Sequence, residues 1–454
     1  MDVAAIKAQL DHPVIDADGH VVEALPVVVE YIRKVAGDEA ADRLVPSSVT
    51  YSTNDAPQQG SVMAPWWTLP TTALDRATSF LPALLHERLD EIGIDFGILY
   101  SSVGLLAFAH EDDVTRRGAC RGLNTYLADV LDGLGDRLVA AAVIPTHSPD
   151  EAIGELEHAV RVLGFKAVML NDVVPRGDRY DLLALDSPYD YGPVWAACVD
   201  LGVAVTVHSP SWGIGLRQSP SRYMFNHIGN FAASADAFAK ALFFGGVLDR
   251  FPTLRFAFLE CGVGWAAQLA GDLVDRWQKR GPGRIDRLDP ARLDLEEWNR
   301  LLDRYGRSTF DDPAVRATMA AQSGQPPADT DDFRATGVRE PSDVARQFRN
   351  LFFGCEADDG TIPWAFELEP PLHPMLGSDI GHWDVGDATE VLPEAWELIE
   401  NGRLTRDQFR AFTCDNAIRL HGGMNPSFFD GTRVEAYARS LLDRTILRKR
   451  GSAM

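Results

Sequence analysis

The sequence is poor in cysteine: Cys120, Cys198, Cys261, Cys355 and Cys414 are the five in 454 residues. They lie far apart and form no CxxC pair. This excludes zinc-finger spacing and a dense disulfide framework, and fits reduced thiols in a cytoplasmic protein. Long apolar runs are also missing. No stretch approaches the roughly 18–20 residues of a membrane span. The opening MDVAAIKAQLDHPVIDADGH lacks the basic and apolar regions of a secretory signal. Positive charge is in deficit, with 43 Lys plus Arg against 66 Asp plus Glu and a formal net charge of −23. Binding through a nucleic-acid backbone or to anionic lipid needs a basic surface, so neither partner is expected. A bound cation is easily accommodated. There is no repeat of solenoid or propeller period, no GxSxG elbow and no P-loop. Gly262 and Gly264 imitate only part of a dinucleotide loop.

What is present is a series of short apolar runs with helix-like segments between them. The runs are PVIDAD (13–18), FGILYS (96–101), LVAAAVI (138–144), FKAVML (165–170), VAVTVH (203–208), RFAFLE (255–260), LFFGCE (351–356) and MLGSDI (375–380). They are rich in Val, Ile, Leu and Phe with little alternation, as in strands buried on both faces of a parallel sheet. Helices are expected over 84–93, 112–135, 148–164 and 187–202. In the third, Ser148 followed by Glu151 forms a capping-box pattern. Strand and helix alternating across eight runs predict an α/β protein, a closed (β/α)8 barrel rather than an open sheet.

The whole chain, 1–454, therefore reads as one barrel with two insertions, 21–83 and 281–347. Loops on the catalytic face of a barrel can act as lids, and 21–83 is the stronger candidate.

Polar residues at the C-terminal ends of barrel strands are where such enzymes keep their catalysts. Asp16, Asp18 and His20 end the first run, His208 the fifth, Glu260 the sixth, Glu356 the seventh, and Asp379 the eighth. Alternation along a strand points Asp18 and His20 the same way. Taken singly, each has an ordinary explanation, such as a core histidine or an Asp capping the next helix. Together, Asp18, His20, His208 and Asp379 make a ligand set for Zn²⁺, Mn²⁺ or Fe²⁺.

The segments VIDADGH, VTVHSP, RFPTLRFAFLECGVGW, GSDIGHWD and FTCDNAIRLHG resemble the amidohydrolase superfamily. The similarity is to its amidohydrolase-related group, typified by aminocarboxymuconate-semialdehyde decarboxylase, and runs from about 13 to about 425. The resemblance implies a metal barrel with Asp18, His20, His208 and Asp379 as ligands to one ion, or with a second ion present. It also places His382 near the site and suggests a homodimer. Two positions depart from the pattern. Asp18 stands where many members have His, which favours Mn²⁺ or Fe²⁺ somewhat. Glu260 stands where the decarboxylase type has an acid/base His.

Glu260 and His227 are the candidate proton-transfer residues. His382, Trp212 and Arg217 are candidate contacts to a small-molecule substrate, and Trp66, Trp67 and Trp265 hint at a ring-containing one. On sequence alone the favoured reaction is hydrolysis of an amide, ester, lactone or thioester carbonyl by metal-activated water. The alternative is nonoxidative decarboxylation, or a related lyase or hydratase reaction, of an unsaturated or aromatic acid. A barrel that only binds is the third reading, and its signature would be missing ligands.

Overall fold

The computed structural model describes residues 1–49, 62–63, 69–177, 179–209, 215–321, 331–382 and 384–451. Eight parallel strands form a barrel: β1 (Ile15–Val21), β2 (Phe96–Ser101), β3 (Leu138–Ile144), β4 (Ala167–Leu170), β5 (Val205–Val207), β6 (Phe256–Phe258), β7 (Leu351–Cys355) and β8 (His373–Leu376). Each pairs with its predecessor in chain order, beginning with Ile15 against Phe96 and ending with His373 against Phe352. The expected (β/α)8 architecture is the one observed. The seam between β8 and β1 is closed just beyond β8, where Asp379 N–H donates to the Asp18 carbonyl at 3.0 Å and His20 N–H to the Ile380 carbonyl at 2.9 Å.

Strand residues are buried almost throughout, which is why the runs carry no polar alternation. Phe256, Phe258, Phe352 and Phe353 are among the largest fully buried side chains. Trp265 meets Phe258 and Phe353 edge-on and donates its indole N–H to the Gly262 carbonyl at 3.0 Å. It packs between those rings. Trp66, Trp67 and Trp212 fall outside the described residues.

The predicted helices are present with shifted ends. Helix Pro149–Arg161 begins with the Ser148–Glu151 capping box. Helix Asp113–Val130 is capped by Asp112 but stops before the expected Gly135. The fourth starts only at Gly192, and a two-stranded antiparallel ribbon, Val174–Arg176 with Arg179–Asp181, precedes it. The eighth strand starts two residues before its apolar run and ends four residues before that run does. The chain leaves the extended conformation after Leu376, and Asp379 has a left-handed φ of 51°.

The insertion 21–83 has two parts. Helices Leu25–Ala36 and Asp38–Val49 lie on the flank against helix Asp113–Val130. Gly122 allows this approach, because a Cβ there would stand 2.5 Å from Ile32 Cγ1. Met63 N–H donates to the Ser219 carbonyl at 2.9 Å and Asn226 Nδ2 donates back to the Met63 carbonyl at 3.2 Å, tying the insertion to the loop after β5. Of the second insertion, none of residues 282–289 and 291–321 is buried, whereas Pro341–Phe348 packs on helix Gly264–Arg280.

Candidate functional site

The site grows from β1. Asp16, Asp18 and His20 are all buried, yet they have separate tasks. The Asp16 carboxylate accepts the Ser378 N–H at 2.9 Å, the Ser378 hydroxyl at 2.6 Å and the Asp18 N–H at 3.1 Å. It is a clip between β1 and the segment after β8. Burial raises its pKa to about 6. Gly19 leaves room for this clip, since a Cβ there would lie 2.4 Å from Asp16 Oδ2.

Asp18 and His20 instead face the barrel mouth. His20 Nε2 lies 3.1 Å from Asp379 Oδ1 and 3.7 Å from Asp18 Oδ1. His208, the first residue beyond β5, places Nε2 at 3.8 Å from Asp18 Oδ1 and 3.1 Å from Glu260 Oε2. Among the described residues two overlapping sets of donor atoms lie within 4.8 Å of one another: Asp18, His20 and His208, and His20, Glu260, Asp379 and His382. The four ligands expected from the sequence thus converge around His20.

Asp18 Oδ1, both Asp379 oxygens and both nitrogens of His20 and His208 are buried without hydrogen-bond partners. Three buried carboxylates face one another here. Such a group is costly unless a cation joins it. Burial, then repulsion by Asp379, pushes the Asp18 pKa well up. Burial, then Asp379 and Asp18, does the same to Glu260. Burial would also raise Asp379, but the imidazoles of His382 and His20 outweigh it and hold that carboxyl low. Burial lowers His20 to about 4 and His208 well below its ordinary value, which leaves their lone pairs available. These residues fit a divalent ion.

The backbone is strained at the same point. Five described non-glycine residues have positive φ, and two of them are Glu260 at 53° and Asp379 at 51°. Such conformations cost on the order of 1–3 kcal/mol and persist where the surroundings enforce them. Gly377 lets the turn approach β1, since a Cβ there would come within 2.9 Å of Asp18 Cβ.

His382 lies in the site, as expected. Its ring stacks on His20 with centroids 3.7 Å apart, and Nδ1 lies 2.8 Å from Asp379 Oδ1. Nε2 is hydrogen-bonded with the Ser102 hydroxyl at 2.8 Å. His227 is the last residue of the short helix Tyr223–His227. It contacts the Tyr223 hydroxyl at 3.2 Å and the Phe231 ring at 5.5 Å, and Phe231 in turn meets His208. Burial lowers its pKa. Arg217 Nε donates to the Ile228 carbonyl at 3.3 Å, a loop contact. Glu356 is exposed at the end of β7.

Three residues escaped the sequence reading. Ser102 directly follows β2. Glu23, three residues after His20, is buried and accepts the Val103 N–H at 2.9 Å, holding the turn that presents Ser102. Asp172, two residues past β4, is buried with Oδ1 unpartnered. Burial raises its pKa to about 7 against an opposing Ser209 hydrogen bond. Position just beyond a strand end was the one available signal for all three.

A sequence profile of the amidohydrolase family matches residues 15–423. The chain belongs to that family. Gamma-resorcylate decarboxylase of Rhizobium sp. (strain MTP-10005) is 29% identical over 149 residues, which are 32% of this chain and 44% of that enzyme. The chain thus spans under half the length of the curated relatives it matches. Among solved structures, an amidohydrolase from Mycobacterium avium subsp. paratuberculosis K-10 superposes with a TM-score of 0.54 at 16% identity, over 91% of this chain and all of that one. A 2,6-dihydroxybenzoate decarboxylase from Rhizobium gives 0.51 at 17% identity, over 90% and 98% of the two chains. A 5-carboxyvanillate decarboxylase from Novosphingobium aromaticivorans DSM 12444, solved with bound manganese, gives 0.52 at 15% identity, over 90% and 97%. At these identities the structures establish the shared barrel.

Proposed function

We propose that this protein is a metal-dependent nonoxidative decarboxylase of a hydroxylated aromatic carboxylic acid. The observation that carries the reading is the buried, hydrogen-bond-deprived cluster of Asp18, His20, His208 and Asp379 with Glu260 against it. The relatives' activities support carbon–carbon cleavage over the hydrolysis favoured from sequence. The same set of donors is complete, which argues against a barrel that only binds.

Asp18, His20, His208 and Asp379 would hold the ion, and manganese suits their mixed oxygen and nitrogen donors. When bound, it supplies a positive charge that orients the substrate's oxygens and stabilises charge developing on them. The chain's own residues do the rest. Glu260, whose Oε2 lies 3.1 Å from His208 Nε2, delivers a proton to the ring carbon that bears the carboxylate. The bond from that carbon to the carboxylate then breaks, its electron pair stays with the ring, and CO₂ leaves. Glu260 regains a proton from water. His382 orients Asp379 from one side and is itself fixed by Ser102.

The test is CO₂ release from a panel of ortho-hydroxylated benzoates, 2,6-dihydroxybenzoate included, with manganese-loaded protein. Turnover of one member with one metal per chain is expected. Ester or lactone cleavage without CO₂ release from any member, at two metals per chain, would replace this reading with the hydrolase.

A further inference from the structure

At the opposite end of the barrel lies a second concentration of charge. Arg255 immediately precedes β6, Asn350 precedes β7 and His373 opens β8, so this region is at the N-terminal ends of the strands. Here a cavity of about 370 Å³ is lined by Arg255, Arg346, Arg349 and Arg419, with Asp249 as its one carboxylate. In a chain with a net charge of −23, four guanidinium groups around one space run against the composition.

Two of the four have their charge answered. Arg346 pairs with Asp343 at 2.7 Å, and Arg419 with Asp415 at 3.3 Å and Asn416 at 2.9 Å. The Arg255 guanidinium has no hydrogen bond or ion pair among the described residues, although the residue is half-buried. Burial and the neighbouring Arg419 push its pKa down to about 10. Its guanidinium lies 5.9 Å from the centre of the Phe352 ring, and His373 stacks on the same ring at 4.9 Å. The seat is kept clear by Gly423, where a Cβ would fall 1.9 Å from Arg255 Nη1. Arg349, at the rim, is exposed and likewise without a carboxylate among the described residues. A half-buried guanidinium that lacks an anion, in a cavity of this size, presents the fork that matches phosphate and carboxylate oxygens.

We propose that this cavity binds a small multivalent oxyanion, inorganic phosphate or a phosphate monoester, between Arg255 and Arg349. Arg419, on helix Asn416–Gly422, lines the same cavity, so the ligand would tie the bases of β6, β7 and β8 to that helix. It acts at the far end of the barrel from the metal cluster and does not depend on the reaction performed there.

The test is calorimetric titration of the full chain with inorganic phosphate at ionic strength held constant with chloride. Asp379→Asn protein is titrated in parallel, to remove any contribution from a metal at the barrel mouth. One equivalent bound by both proteins is expected, with a phosphate-dependent rise in Tm. Arg255→Gln should weaken binding by about ten-fold or more, the loss of one charge-assisted pair. Arg349→Gln, on the exposed rim, should weaken it by a smaller factor and serves alone if Arg255→Gln does not fold. Phosphate heats no different from chloride, binding lost in Asp379→Asn, or wild-type affinity in the arginine variants would overturn the proposal.

Discussion

His382 Nδ1 lies 2.8 Å from Asp379 Oδ1, three residues back along the chain. The same ring stacks on His20 and reaches Ser102 from its other nitrogen. One imidazole thus connects β1, the turn after β2 and the segment after β8. Asp379 itself sits at a φ of 51°, a conformation that its hydrogen bond to the Asp18 carbonyl and the contact with His382 hold in place.

Asp379→Ala should abolish manganese uptake and lower turnover by at least about 100-fold, beyond what loss of a residue supporting a ligand costs. The metal-free variant should be less stable than metal-free wild type at neutral pH, because the His20 and His382 imidazoles that hold the Asp379 carboxyl low lose their partner. Manganese at 100 times its Kd should stabilise the wild type by about 2.7 kcal/mol and the variant not at all. Metal analysis and thermal melts read both effects, and full activity in the variant would remove Asp379 from the site.

Ser102→Ala removes the partner of His382 Nε2. Metal affinity or kcat/KM should fall about 10–100-fold. Ser102→Thr, which keeps the hydroxyl, should recover most of it. If Ser102 only packs the β2 turn, metal affinity will be unchanged in the alanine variant.

Glu260→Gln keeps the shape of the side chain and removes its proton. CO₂ release should drop by about 10²–10⁴ while manganese still binds at one per chain. Loss of a second equivalent of metal in this variant would instead identify Glu260 as a bridging ligand.

Asp172 gives a pH dependence that can be read in stability. Its pKa is raised to about 7 in the folded chain from 3.8, so the folded state holds the proton longer. Below pH 3.8 both states are protonated and the group is neutral in effect. Between the two values the unfolded chain gives up its proton first, and stability falls as pH rises, by about 1.4 kcal/mol per pH unit at most. Above about 7 the loss is complete. Asp172→Asn removes this dependence. Urea midpoints of the metal-free proteins should therefore favour the variant at pH 8 and converge near pH 4. Parallel curves for the two proteins would show that Asp172 does not titrate in this way.

Much of the barrel was legible because burial on both faces makes a strand continuously apolar, as in FGILYS and LVAAAVI. β2 and β3 have the predicted ends, 96–101 and 138–144. The eighth run misled at both ends. GSDI reads as part of an apolar segment, but the strand ends at Leu376 and the chain then turns through the left-handed Asp379, and φ is not written in composition. The ribbon Val174–Arg176 with Arg179–Asp181 was missed because three residues per strand carry too little periodicity to detect.

Of the candidate residues, Asp18, His20, His208 and Asp379 were found because chemistry and strand-end position coincide in the sequence itself, and the structure brings them together around His20. His227 meets Phe231, which in turn meets His208, and Arg217 donates to the Ile228 carbonyl. Glu23 and Ser102 were illegible, since their meaning depends on a turn from another part of the chain arriving beside them.

The sequence by itself determined the eight barrel strands, their parallel grammar and the identity of the acids and imidazoles at the strand ends, because those depend on local periodicity and residue type. Only the tertiary structure decided that Asp16 is a clip while Asp18 faces the barrel mouth, that Ser102 supports His382, and that Arg255 faces a cavity without a carboxylate partner. Each of those outcomes depends on distances between residues as much as 362 positions apart, as in the Asp16–Ser378 pair, and such distances exist only once the barrel has closed.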